Sequence, residues 1–177
     1  VVADRRTVGA QTEDEGIELK VKYRIRESVK DSGGVGIISF NRKVLLYGQV
    51  RDADSRRRVE QLAAAQDNVR GVQNELQVMG STSFTTDVTD AAVTTKVKAA
   101  LVNERELQAN AFKVVTDAGI VYMMGIVTRK EADNAARVAA GVGGVKKVVT
   151  VFEYVTEEEL ARIIAANQNK EQGDARK

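Results

Sequence analysis

The residues of this chain best suited to hold a charged ligand are two glycine-rich loops, a run of arginines and a pair of lysines. The loops are Gly33-Gly34-Val35-Gly36 and Gly141-Val142-Gly143-Gly144, and consecutive backbone N–H groups of this kind can cradle a phosphate. Their context points elsewhere. Both follow a helical pattern and precede a strand pattern, whereas phosphate loops follow a strand and open a helix, and loops of the KH type join two helices. They read as helix-ending turns. Arg51, Arg56, Arg57 and Arg58 are interleaved with Asp52, Asp54 and Glu60, the pattern of a solvated charged face. Arg129, Lys130, Lys146 and Lys147 form a similar fringe.

Catalysis has little to work with. The chain contains no histidine and no cysteine, which removes zinc sites, thiol nucleophiles, imidazole bases and the serine-histidine-acid relay. Carboxylates remain, but no convergent acidic pair stands out, so an enzyme is not expected and neither is a cofactor or a metal. A net charge of +2 with 29% charged residues describes a mixed surface and gives no reason to expect nucleic acid. No run of about eighteen apolar residues is present to span a bilayer. The chain opens on Val1 rather than methionine, which reads as an N-terminus trimmed of any targeting segment.

The elements that would carry these residues come in two copies. Val44 to Val50 reads VLLYGQV, Val121 to Val127 reads VYMMGIV, and their glycines, Gly48 and Gly125, are 77 apart. Lys20-Val21-Lys22 recurs 76 residues later as Lys96-Val97-Lys98, and Val69, Gly71 and Val72 echo Val142, Gly144 and Val145 at a spacing of 73. This drift predicts about one extra helical turn in the first copy, between the glycine strand and the last strand. Two copies of this size predict two compact domains rather than a solenoid.

In the first copy Ile17, Val21, Ile25 and Val29 make the apolar stripe of a helix, and Glu13, Asp14 and Glu15 suit its positive end. Val35 to Phe40 and Val44 to Val50 read as a hairpin turning at Asn41-Arg42-Lys43. Asp52 or Asp54 then caps a helix containing Val59, Leu62 and Ala63 and closing near Asn68, before a strand from Val72 to Val78. The second copy repeats the order. Thr89 or Asp90 caps a helix with Val93, Val97 and Leu101 on one face, and Phe112 to Thr116 pairs with Ile120 to Val127 across Asp117-Ala118-Gly119. Thr128 caps an alanine-rich helix to Val142, and Val145 to Tyr154 is the last strand. Gly48 and Gly125 read as packing positions where a missing side chain lets a helix approach the sheet.

Both helices of the second copy face Val121 and Met123, so Tyr122, Met124 and Ile126 need another cover. Leu160, Ile163 and Ile164 of a C-terminal helix, opened by Thr156 and Glu157 to Glu159, could supply it, as could the first domain.

An αββαβ unit with a K-V-K helix, a V-x-L-x-G-x-V strand, an alanine-rich helix and a V-x-G-V before its last strand resembles the BON domain of bacterial envelope proteins. Both copies carry the pattern, the first with Asn74-Glu75-Leu76 in its last strand. Asp4-Arg5-Arg6-Thr7-Val8-Gly9 resembles the lead-in of the dual-BON outer-membrane lipoproteins. That resemblance implies a periplasmic protein anchored through an N-terminal lipidated cysteine absent from this chain. It also implies binding of anionic phospholipid through the first helix of the second domain, in support of envelope integrity and at the division site.

That helix can be read on its own residues. With Val93, Val97 and Leu101 facing inward, the far side collects Ala92, Thr95, Ala99 and Val102, flanked by Lys96, Lys98 and Asn103. Small apolar groups beside lysines suit a shallow membrane contact. Where the family's lipid-inserting aromatic falls, this chain has Ala92.

The expectation is therefore an α+β chain of two tandem αββαβ sandwich domains of BON type plus a C-terminal helix. Its parts are a lead-in (1–12), a first domain (13–79), a linker (80–86), a second domain (87–155), the helix (156–168) and a disordered tail (169–177). The expected role is a monomeric, non-enzymatic module that binds an anionic phospholipid surface, with envelope or division proteins as further partners. The competing role is a protein-interaction scaffold that meets lipid only through its anchor.

Overall fold

A computed structural model describes residues 4–79 and 87–176; the expected linker, 80–86, lies outside them. The chain divides into two compact units, one of Val8–Thr85 and one joining Val1–Thr7 to Thr86–Lys177.

In the N-terminal unit helix α1 (Val8–Ser28) leads through a 3-10 turn (Ser32–Gly34) into strands β1 (Val35–Phe40) and β2 (Lys43–Val50). Helix α2 (Ala53–Ala64) and strands β3 (Gly71–Asn74) and β4 (Gln77–Val78) complete it. The sheet pairs β1 antiparallel and β3 and β4 parallel to a central β2. In the C-terminal unit helix α3 (Asp87–Asn103) and a 3-10 turn (Ala109–Ala111) precede β5 (Lys113–Asp117) and β6 (Ile120–Val127). Helix α4 (Arg129–Ala140), β7 (Lys147–Tyr154) and helix α5 (Glu157–Asp174) follow, with β6 central between antiparallel β5 and parallel β7. The αββαβ order expected from the sequence is present in both units.

Each unit buries the expected stripes. Ile17, Val21 and Ile25 of α1, and Val29 just past its end, pack with Val44, Leu46 and Val50 of β2 and with Val59 and Ala63 of α2. Val93, Val97 and Leu101 of α3 do the same with Val121, Met123 and Val127 of β6 and Ala132, Ala135 and Ala139 of α4. Alanines on α4 bring that helix close to its sheet. Outside these clusters, Ile38, Phe40 and Leu45 in one unit and Tyr122, Met124 and Ile126 in the other are also buried. Leu160 of α5 is buried and Ile163 half-buried, while Ile164 stays exposed, so only part of the stripe foreseen for that helix is packed.

Several details differ from expectation. Helix α1 starts at Val8, so Glu13, Asp14 and Glu15 lie in its second and third turns and do not complement its N-terminus. Helix α2 closes at Ala64, not near Asn68, where φ is +71°. Helix α5 runs to Asp174, through the segment expected to be an irregular tail. Gln, Lys and Glu there are good helix formers, and no proline stops them.

The repeat alignment also changes. Helices α2 and α4 both have 12 residues, so the first copy has no extra turn. Val72 lies opposite Val44 and Val148 opposite Val121, which makes Val148, not Val145, the partner of Val72 at a spacing of 76. Asn68 (φ +71°) then matches Gly144 (φ +95°). Each lies four residues past its helix, in the turn that leads to the last strand, where a left-handed residue is used that asparagine or glycine can supply.

Gly48 and Gly125 are packing glycines, but what approaches them is not an α-helix. A Cβ on Gly48 would sit 2.0 Å from the Gly34 carbonyl oxygen and one on Gly125 would sit 2.8 Å from that of Ala111. The close neighbour in each unit is the backbone of the 3-10 turn. The glycine that a helix approaches is Gly144, whose Cβ would meet Val93 of α3 at 2.9 Å.

Candidate functional site

The seven residues singled out on α3, Ala92, Thr95, Lys96, Lys98, Ala99, Val102 and Asn103, are all exposed. At about 100° per residue they share the side opposite Val93, Val97 and Leu101, with Lys96 and Lys98 at its two edges. Val102 keeps 68% of its surface in water, and Thr95 turns its hydroxyl back to the Ala91 carbonyl at 3.0 Å. The face is small-residued, cationic and free of carboxylates.

A buried aspartate holds this helix in place. Asp90 does not cap α3; it lies within the helix, and its carboxylate accepts from the backbone N–H groups of Ala118 (2.8 Å) and Gly119 (2.9 Å). Both turn residues have positive φ, +50° and +79°, as a two-residue hairpin turn requires. The first unit repeats the device 76 residues earlier. Asp14 accepts from Asn41 N (2.7 Å), Arg42 N (2.8 Å) and Ser39 Oγ (2.7 Å), and Asn41 and Arg42 have φ +49° and +65°. Each repeat thus ties its first helix to its hairpin turn through one aspartate, and in the first repeat Glu18 adds a bond from Ser39 N at 3.0 Å. Thr94 adds a hydroxyl contact to Thr116 at 2.8 Å.

The arginine run separates into different roles. Arg57 and Arg58 are exposed, and Arg57 pairs with Asp54. Arg51 reaches Asp31 at 3.1 Å between two exposed side chains. Arg56 is structural: its guanidinium donates to the carbonyls of Leu76 and Asn74, each at 2.9 Å. Asn74 returns a hydrogen bond to the Arg56 carbonyl at 3.2 Å and accepts from Leu76 N at 3.1 Å. Here the expected third strand breaks into β3 and β4. Ala132 occupies the corresponding place on α4, and β7 runs unbroken. Asp52 caps α2 by accepting from Ser55 N at 2.7 Å, which holds its carboxyl below the usual range. In the second fringe, Arg129 lies 3.8 Å over the ring of Tyr154.

One buried polar group was not foreseen. Arg5, 7% exposed, forks onto Glu131 with contacts of 2.9 and 2.7 Å and donates to the Ile126 carbonyl at 2.9 Å. Glu131 also closes a capping box with Thr128 at the start of α4. Burial opposes its charge, but the hydrogen bond from Arg5, the Thr128 backbone N–H and the Arg5 charge outweigh it and lower its pKa. The Thr128-x-x-Glu131 spacing signals the box; nothing local signals Arg5. Of the two glycine loops read as helix-ending turns, the second does cap α4 through Gly141, whereas Gly33 and Gly34 form a 3-10 turn of their own beyond α1 and Gly36 lies in β1. Among the described residues no acidic cluster could hold a metal ion, and no helix is long and apolar enough to cross a membrane.

Two αββαβ units, each with its first helix tied to its hairpin, define a tandem two-domain protein of a single repeated fold. The BON domain profile matches residues 13–80 and 89–156, and the chain belongs to the BON domain family. It is 37% identical over 157 residues to the outer membrane lipoprotein DolP of Haemophilus influenzae, a match covering 88% of this chain and 81% of that protein. It is 32% identical over 154 residues to the 21 kDa hemolysin of Actinobacillus pleuropneumoniae, covering 86% of this chain and 79% of the other.

Proposed function

We propose that this is a non-enzymatic protein of the bacterial envelope that binds anionic phospholipid, with the exposed face of α3 as a contact. The observation that carries the reading is the placement of all seven α3 residues on one exposed face, with lysines at its edges and no exposed carboxylate among them. Lysines of this kind draw anionic headgroups while small apolar groups enter the interface. The outer-membrane lipoprotein that the chain resembles supports an outer-membrane location facing the periplasm, reached through an N-terminal lipid anchor. The family resemblance extends the role to envelope integrity, including at the division site.

Vesicles test it. The protein should co-sediment with phosphatidylglycerol vesicles and not with phosphatidylcholine alone. Each lysine near an anionic surface contributes about 1 kcal/mol, so Lys96→Glu with Lys98→Glu should weaken binding about tenfold or more. Amide NMR shifts should move across Asp90 to Asn103. A scaffold that only docks proteins would leave those resonances unmoved.

A further inference from the structure

The stronger apolar surface lies on the other repeat. Leu19 and Tyr23 on α1 are 71% and 64% exposed, and at about 100° per residue they stand opposite the buried stripe of Ile17, Val21 and Ile25. Between Leu19 and Lys30 there are five cations, Lys20, Lys22, Arg24, Arg26 and Lys30, against the single acid Glu27, and all six are exposed. Glu15, exposed one turn before Leu19, is a second acid on this side; five cations to two acids around an aromatic and an aliphatic side chain is still the composition of an interfacial helix.

Beside this pair is a cleft of about 440 Å³ lined by Leu19, Lys20, Tyr23, Arg24, Gln66 and Asp67. Gln66 is 6% exposed, and its Oε1 has no hydrogen-bond partner among the described residues. A buried amide oxygen without a donor is uncommon, because it forfeits water without compensation. The lining therefore offers two kinds of recognition. Lys20 and Arg24 are donors suited to a phosphate; the exposed Asp67 carboxylate is an acceptor suited to hydroxyl groups, and Gln66 Oε1 is a second, unpaired acceptor shielded from solvent behind the lining. A phosphodiester carrying a glycerol satisfies both.

We propose that α1 forms a second membrane contact, in which the cleft against Gln66 takes a phosphatidylglycerol headgroup and Leu19 and Tyr23 enter the bilayer interface. The proposal rests on the lipid reading and adds a site to it. At the corresponding α3 positions, 76 residues on, the lysines recur as Lys96 and Lys98, but Leu19 and Tyr23 are replaced by Thr95 and Ala99. Val142 and Gly143 stand where Gln66 and Asp67 are. The second copy thus keeps two of the five cations, with Ala100, Val102 and Glu106 in place of Arg24, Arg26 and Lys30, and lacks both the large apolar pair and the acceptors.

The chain has no tryptophan, so Tyr23→Trp and Val102→Trp are single reporters for the two faces. On mixed phosphatidylglycerol and phosphatidylcholine vesicles, Tyr23→Trp emission should shift to the blue. Leu19→Ser with Tyr23→Ser should lower affinity at least about tenfold, and Gln66→Leu should narrow the preference for phosphatidylglycerol over phosphatidylserine. Thermal melting of the serine pair should match the parent, since both side chains are exposed. An unmoved Tyr23→Trp emission while Val102→Trp responds would overturn this site and leave the α3 reading standing. Absence of any vesicle binding by the unsubstituted protein would overturn both. A Tyr23→Trp shift that follows protein concentration without lipid would make the face a self-association surface and also overturn the proposal.

Discussion

Asp14 and Asp90 set a carboxylate in the interior, where a charge is tolerated only if hydrogen bonds surround it. They have those bonds because a two-residue hairpin turn points its N–H groups inward, at the helix crossing behind it. Hydrogen bonds to charged groups contribute about 1.5–3 kcal/mol each, so Asp90→Ala should lower stability by about 3 kcal/mol in urea unfolding. Asp14→Ala should cost at least as much, since its carboxylate also holds Ser39. Asn at either site keeps one acceptor oxygen and should lose less. A melting curve for Asp90→Ala that overlays the parent would show that the turn holds its geometry unaided. These aspartates were hidden in the sequence, because an acidic residue near a helix start looks like a cap, as Asp90 did, or a partner of the positive helix end, as Asp14 did, until the helix is seen to begin earlier.

At the scale of elements, one side chain bridges the break in the last strand of the first repeat to helix α2. Arg56 takes two carbonyls of the β3–β4 break onto α2, and Arg57 and Arg58 point to solvent from the same helix. Arg56→Ala should therefore destabilise the N-terminal unit by about 2 kcal/mol, while Arg57→Ala and Arg58→Ala should change it by less than about 0.5 kcal/mol. Equal effects at all three positions would return Arg56 to the solvated face that the sequence suggests. Helices, hairpins and the caps Asp52 and Thr128 were legible because their signals are local: apolar period, turn residues, a hydroxyl or carboxylate before a stripe. The outward face of α3 followed from the same period. The pairing of Val72 with Val148 was not legible, since matching glycine to glycine overlooks that Asn68 does in one copy what Gly144 does in the other. The cleft at Gln66 also escaped notice, because it joins α1 to residues more than forty positions away.

Over the whole chain, the segment ahead of α1 belongs with the unit that is farthest from it in sequence. Arg5 joins Glu131 and the end of β6, and its carbonyl accepts from Asn167 of α5 at 3.2 Å. Removing one partner of a buried pair costs about 3 kcal/mol or more, so Arg5→Ala should unfold at lower urea at neutral pH. The lowered pKa of Glu131 sets the sign of the pH dependence: its contribution is present above the unfolded-state carboxylate pKa and is lost as pH falls through the folded value. The gap between parent and Arg5→Ala should accordingly narrow on acidification below about pH 4.5. A gap that stays constant to pH 3 would assign the loss to packing of the Arg5 stem. The same ion pair has a mechanical meaning. Tension applied ahead of Asp4 reaches the guanidinium of Arg5 first and is carried sideways into β6 and the first turn of α4, so helix α1 is relieved of the load.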